Sequence, residues 1–109
     1  MCIRDRSVTY SADIFIGGSL EAAREVCREF CLRGLCVSIT PCDFIFTGGM
    51  ESGVRVGLIN YPRFPSPEQP ILDAALALAE MLIIRLHQSS ASVVAKDKTV
   101  WLTRRESDK

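Results

Sequence analysis

Between Ile71 and Leu86 every residue is apolar except Asp73, Glu80 and Arg85. Wound at 3.6 residues per turn, this run places Ile71, Ala75, Leu78, Leu82 and Leu86 on one surface, with Leu72, Ala79 and Ile83 beside it. The stripe is wider than the roughly 100° that a helix packed on one sheet face needs. Either the helix is covered on two sides, or part of it is reserved for another copy of the chain. Ser66-Pro67-Glu68-Gln69 supplies the start: Ser66 as N-cap, Pro67 in the first turn and Gln69 to close a capping box. The pattern therefore predicts a long helix within 66–88. It is not a membrane span, because charges interrupt a run shorter than the ~20 residues a bilayer requires.

Upstream the period changes to two. Val8, Tyr10, Ala12, Ile14 and Ile16 alternate with Thr9, Ser11, Asp13 and Phe15, as in a strand with one buried face. Gly17-Gly18-Ser19 ends that strand. Ser19 is placed to cap a helix whose inner stripe is Leu20, Ala23, Cys27, Phe30 and Cys31, and Arg33-Gly34 is a stop signal. Leu35, Val37 and Ile39 begin a second strand. Pro41 interrupts it, which implies an edge or a bulge, and Phe44-Ile45-Phe46 resumes it. Gly48 to Gly53 is expected as a flexible hairpin connection, and Val54 to Tyr61 as the third strand. After the long helix, Val93-Val94 and Thr99 to Thr103 flank a turn at Lys96-Asp97-Lys98.

Strand, helix, strand, strand, helix, strand is the order of a ferredoxin-like split βαβ domain. This α+β fold has an antiparallel sheet with both helices on one face, and here an extra C-terminal hairpin strand. Residues 7–104 form that single domain. The opening Met1-Cys2-Ile3-Arg4-Asp5-Arg6 resembles a translated adapter remnant from assembled environmental DNA and is set apart as a leader; 105–109 is a polar, frayed tail.

Thirteen basic residues balance thirteen acidic ones, so nothing favours general nucleic-acid binding or an anionic membrane. Five cysteines, an odd number lacking C-x-x-C pairs, argue against a disulfide scaffold or a zinc site and for a reducing cytoplasm. Cys27 and Cys31 lie one helical turn apart and could contribute two metal ligands. The preferred reading of Cys27, Cys31, Cys36 and Cys42 is small apolar filler. No metal, cofactor or catalytic residue is assigned.

Three places could carry chemistry. Gly17-Gly18-Ser19 could hold an anion at a helix start, though a plain turn with a cap is the preferred reading. His87 ends the long helix, where a polar or cationic residue suits the dipole. The richest segment is 47–65. Gly48 and Gly49 permit close approach, Arg55 and Arg63 could grip an anion, Tyr61 and Phe64 offer flat surfaces, and Asn60 can donate and accept. That set predicts a small anionic, nucleotide-like ligand.

The same stretch, TGGMESGVRVGLINYPRFP, resembles sequences of small uncharacterised phage and prophage proteins. The resemblance implies an accessory factor, of a class that includes oligomeric sponges for cyclic nucleotide signals. The expectation is thus a non-enzymatic, homo-oligomeric ligand binder that self-associates through the 71–86 helix. The alternatives are a module engaging a host protein, and a thiol-dependent enzyme or metal binder.

Overall fold

A computed structural model describes residues 11–33, 35–59, 68–95 and 99–104. The elements are β1 (Ser11–Gly17), α1 (Leu20–Phe30) closing in a single 3-10 turn (Cys31–Arg33), β2 (Val37–Phe46), β3 (Gly49–Ile59), α2 (Glu68–Arg85), β4 (Ser90–Ala95) and β5 (Thr99–Thr103). They build one sheet of order β2-β3-β1-β4-β5, antiparallel at every step. Without β5 this is the interleaved split βαβ of the ferredoxin-like fold, and β5 is the extra strand outside β4. The leader, Val8 and Tyr10, Gly34, the Ser66-Pro67 cap, the 96–98 turn and the tail lie outside the described residues.

The two periods account for the layers. Alternate residues of β1 (Ala12, Ile14, Ile16), β3 (Val54, Val56, Leu58) and β4 (Ala91, Val93) are buried on one sheet face. Against them α1 sets Ala23, Val26, Cys27 and Phe30, and α2 sets its whole stripe. Ser19 caps α1 as expected, its hydroxyl accepting from the Ala22 N–H at 3.3 Å. Each large side chain buried this way contributes roughly 1.5–3 kcal/mol.

The eight stripe residues between Ile71 and Leu86, seven of them in α2, are all at most 8% exposed within a single chain. The sheet covers one side of the helix and α1 the other. The breadth of the stripe is therefore used up inside the fold, and the argument for self-association through 71–86 loses its basis. Arg85 and Glu29 join the far ends of the two helices at 2.5 Å.

Three boundaries differ from the sequence reading. β2 runs unbroken through Pro41 in one-to-one register with β3, because it is an edge strand with no outer neighbour among the described residues. The hairpin turn is only Thr47-Gly48, with Gly48 at φ 86°, so residues 49–53 are strand and not loop. α2 stops at Arg85. Gln88 N–H donates to Ile83 O at 2.9 Å and His87 N–H to Ile84 O at 3.3 Å, a Schellman closure with His87 in the left-handed position at φ 57°.

Candidate functional site

The face of the sheet turned away from the helices carries Asp13, Phe15, Arg55, Ser92 and Trp101. β1 and β4 are paired only as far as Phe15–Ser92, although each continues two residues beyond that point. The strands part there, and a cleft of about 310 Å³ opens at the end of β1. Phe15 and Gly17 form its floor. Phe44 and Glu51 wall it on one side, and Gln88, Ser89, Ser90 and Ser92 on the other.

Two paired glycines shape that floor. Gly17 faces Gly53 across β1 and β3. A Cβ on Gly53 would strike the Phe44 ring and the Ile16 carbonyl, and one on Gly17 would take the place of the Glu51 carboxylate. Phe44 and Glu51, cross-strand partners on β2 and β3, are thus seated on bare backbone. The same vacancy brings the Gln88 side-chain oxygen to within 3.1 Å of where a Gly17 Cβ would stand. Gln88 is itself held: its side-chain amide donates to Leu86 O at 3.2 Å, and its backbone carbonyl accepts from Arg104 Nε at 2.9 Å. Glu51 has no ion-pair partner among the described residues. The cleft therefore combines an uncompensated carboxylate, two aromatic rings, an amide and a row of hydroxyls.

Of the residues singled out from the sequence, the described ones fall elsewhere. Arg55 lies on the open face next to the cleft floor, 3.2 Å from Asp13 Oδ2 and with its guanidinium 6.0 Å from the Phe15 ring centroid. Its charge is thereby engaged inside the chain. Gly48 and Gly49 sit at the hairpin tip, about 20 Å from Arg55 at ~3.3 Å per residue, so the two glycines and the arginine do not converge. Asn60, Tyr61, Arg63 and Phe64 lie outside the described residues. Sequence reasoning missed Glu51, the sole acid in 47–65, as well as Phe15, Phe44 and Gln88. The register of Gly17 against Gly53 was the signal that could have found them.

The remaining candidates resolve simply. In the Gly17-Gly18-Ser19 turn the Gly18 N–H donates to Ser52 O at 3.2 Å, and the Ser19 hydroxyl accepts from the Ala22 N–H as the α1 cap. Of the described cysteines only Cys27 is buried; Cys31 and Cys42 are half-buried and Cys36 is exposed, so the filler reading holds for one of the four. Burial, then Cys31 nearby, pushes the Cys27 thiol up to about 11. Burial also raises Cys31 and Cys42, away from nucleophile chemistry. Among the described residues no three His, Cys, Asp or Glu side chains gather as metal ligands, and no helix is long and apolar enough to cross a membrane.

No family model matches the chain, and no curated protein matches it in sequence. Solved structures do. A phage SAM lyase in its apo state superposes with TM-score 0.75 over 95% of this chain and 98% of that one, at 16% identity. A phage SAM lyase in complex with S-methyl-5'-thioadenosine gives 0.70 over 94% and 95%, again at 16%. The periplasmic divalent cation tolerance protein CutA from Archaeoglobus fulgidus gives 0.47 over 84% of either chain at 16%. At such identity the likeness is one of fold.

Proposed function

We propose that this chain is a phage-type accessory protein that binds S-adenosylmethionine in the cleft at the end of β1 and breaks it down as a lyase. The observation that carries this reading is the uncompensated Glu51 carboxylate beside the Phe15 and Phe44 rings in a cleft of about 310 Å³. S-adenosylmethionine brings a nucleobase suited to stacking, a ribose suited to hydroxyls and amides, and a positive sulfonium suited to a carboxylate. The nearly complete superposition on phage SAM lyases supports the same ligand class. The proposal keeps the nucleotide-like character expected from the sequence. It replaces an anion gripped by arginines with a cation held by Glu51, and a passive binder with an enzyme.

Attack of the substrate's own carboxylate on the carbon attached to sulfur would form a carbon–oxygen bond and release the amino-acid portion as a lactone, while the carbon–sulfur bond breaks with its electron pair left on a now neutral thioether, so Glu51 should distinguish substrate from product. Calorimetry with S-adenosylmethionine and S-methyl-5'-thioadenosine tests this. Glu51→Gln should weaken the first roughly ten- to a hundredfold, as expected for the loss of a charge-assisted contact, and change the second little. Arg55→Ala should spare both. Mass spectrometry of S-adenosylmethionine incubated with the protein should show the thioether accumulating. Binding without turnover would make the chain a sink for the ligand, and absence of binding would remove the proposal.

A further inference from the structure

Gln88 spends its backbone groups and its side-chain nitrogen on the chain. The backbone N–H donates to Ile83 O at 2.9 Å, and the backbone carbonyl accepts from Arg104 Nε at 2.9 Å. Arg104 also ties down the next residue, its own N–H donating to Ser89 O at 2.8 Å. The side-chain nitrogen of Gln88 donates to Leu86 O at 3.2 Å. That bond settles which way the amide lies, because a carbonyl accepts only from its nitrogen end. Oε1 is left at the cleft, with no donor bonded to it among the described residues.

A second oxygen meets it there. Glu51 comes from the β2–β3 arm, the stretch over which that pairing runs on past Gly53, where β1 ends. The two side chains converge over Gly17. Gln88 Oε1 stands 3.1 Å from the place a Cβ at position 17 would take, and Glu51 Oε1 is nearer still. Oxygens so close to one point lie within reach of a single nitrogen at ~2.9 Å from each. The Glu51 carboxylate, like Gln88 Oε1, has no bonded donor among the described residues. Two acceptors sharing one negative charge suit a group that carries several donors and a positive charge. A carboxylate or phosphate at the same point would be repelled.

We infer that Gln88 Oε1 and the Glu51 carboxylate together seat a primary ammonium group, and that in S-adenosylmethionine this is the α-ammonium of the amino-acid portion. The inference rests on the ligand assigned to the cleft. Three carbons separate that nitrogen from the sulfonium sulfur, so Glu51 can face both positive charges while Gln88 reaches the ammonium alone. The two oxygens turn away the carboxylate borne by the same carbon, which leaves it free to approach the carbon attached to sulfur. S-methyl-5'-thioadenosine has no ammonium, so Gln88 adds nothing to its binding. Gln88 is thereby a specificity-determining residue, selecting for the intact amino-acid portion.

Calorimetry on the full chain with a set of related ligands supplies the test. S-adenosylmethionine carries sulfonium and ammonium, and S-adenosylhomocysteine the ammonium alone. The 2-oxo acid analogue of S-adenosylmethionine carries the sulfonium alone, and S-methyl-5'-thioadenosine neither. The wild type should bind S-adenosylmethionine about tenfold more tightly than its 2-oxo analogue. Gln88→Met keeps the length of the side chain and removes the acceptor. It should weaken both ammonium ligands roughly tenfold and leave the other two within about twofold. Gln88→Glu, which keeps an oxygen at that point, should retain the preference for ammonium ligands. A Gln88→Met variant that loses the same factor for every ligand has only reshaped the cleft, and overturns the inference. So does a wild type that binds the 2-oxo analogue as tightly as S-adenosylmethionine. A wild type that binds none of the set removes the ligand reading itself, and the ammonium seat falls with it.

Discussion

Glu51 rests its carboxylate on Gly17, in the volume that a Cβ at position 17 would need. The contact joins the base of the β2–β3 arm to the end of β1 and places the one uncompensated charge of the cleft. It makes the two floor glycines unequal. At Gly17 the obstacle is the far end of a flexible side chain, whereas at Gly53 it is the Ile16 carbonyl, the Gly17 Cα and the Phe44 ring. Gly17→Ala should therefore leave the urea midpoint nearly unchanged while lowering affinity for S-adenosylmethionine. Gly53→Ala should cost about 1–3 kcal/mol of stability through overpacking. Paired denaturation and calorimetry on the two variants check both halves.

Leu78 and Ile84 provide a contrast along α2. Leu78 is fully buried and Ile84 is 58% exposed. Leu78→Ala should cost about 2–5 kcal/mol, a large part of the 5–15 kcal/mol a domain usually holds. Ile84→Ala should change stability by less than about 0.5 kcal/mol. Chemical denaturation would show the difference, and equal losses would mean that Ile84 is covered by another chain.

His87 closes α2 in the left-handed conformation that glycine adopts without penalty. His87→Gly should raise stability by about 1 kcal/mol, the usual cost of a non-glycine residue at such a position. The Schellman hydrogen bonds remain in place, so the cleft beyond Gln88 should keep its shape. Thermal denaturation with ligand titration tests both statements.

The thiols should separate by accessibility at pH 8. Among the described thiols Cys36, exposed, should react first with a maleimide or a disulfide reagent, and Cys27, buried and with its thiol pushed up to about 11, should react last. The same shift has a consequence for stability. The Cys27 thiol ionises more readily in the unfolded chain than in the folded one, so its contribution is complete below the ordinary thiol value of 9.0 and is lost as pH rises toward 11. Denaturation midpoints should accordingly fall between pH 9 and 11, and Cys27→Ala should flatten that fall.

Local rules decided a large part of this protein. The period-two run at Ala12, Ile14 and Ile16, the cap at Ser19 and the apolar block from Ile71 to Leu86 each follow from short-range sterics and burial. Together with element order they imply the ferredoxin-like arrangement. The extra strand around Trp101 and the edge position forced by Pro41 were legible for the same reason.

What the sequence could not decide depends on which residues meet across strands. Glycines 49 and 53 look like a flexible loop in one dimension. They become strand positions only because the rings of Phe46 and Phe44 need the space that a Cβ would fill. The stripe of α2 reads as too wide for one sheet, and only the packing of α1 along its flank shows that the chain itself covers it. Arg55 reads as a free anion grip until register places it against Asp13 and Phe15. Glu51 reads as an ordinary turn acid until Gly17 is found beneath it. Composition and spacing determine which segments become strands and helices, but charge and shape at a site are set by neighbours many residues distant. Here those neighbours are fixed by the register of β1 against β3 and by the point at which β1 and β4 part.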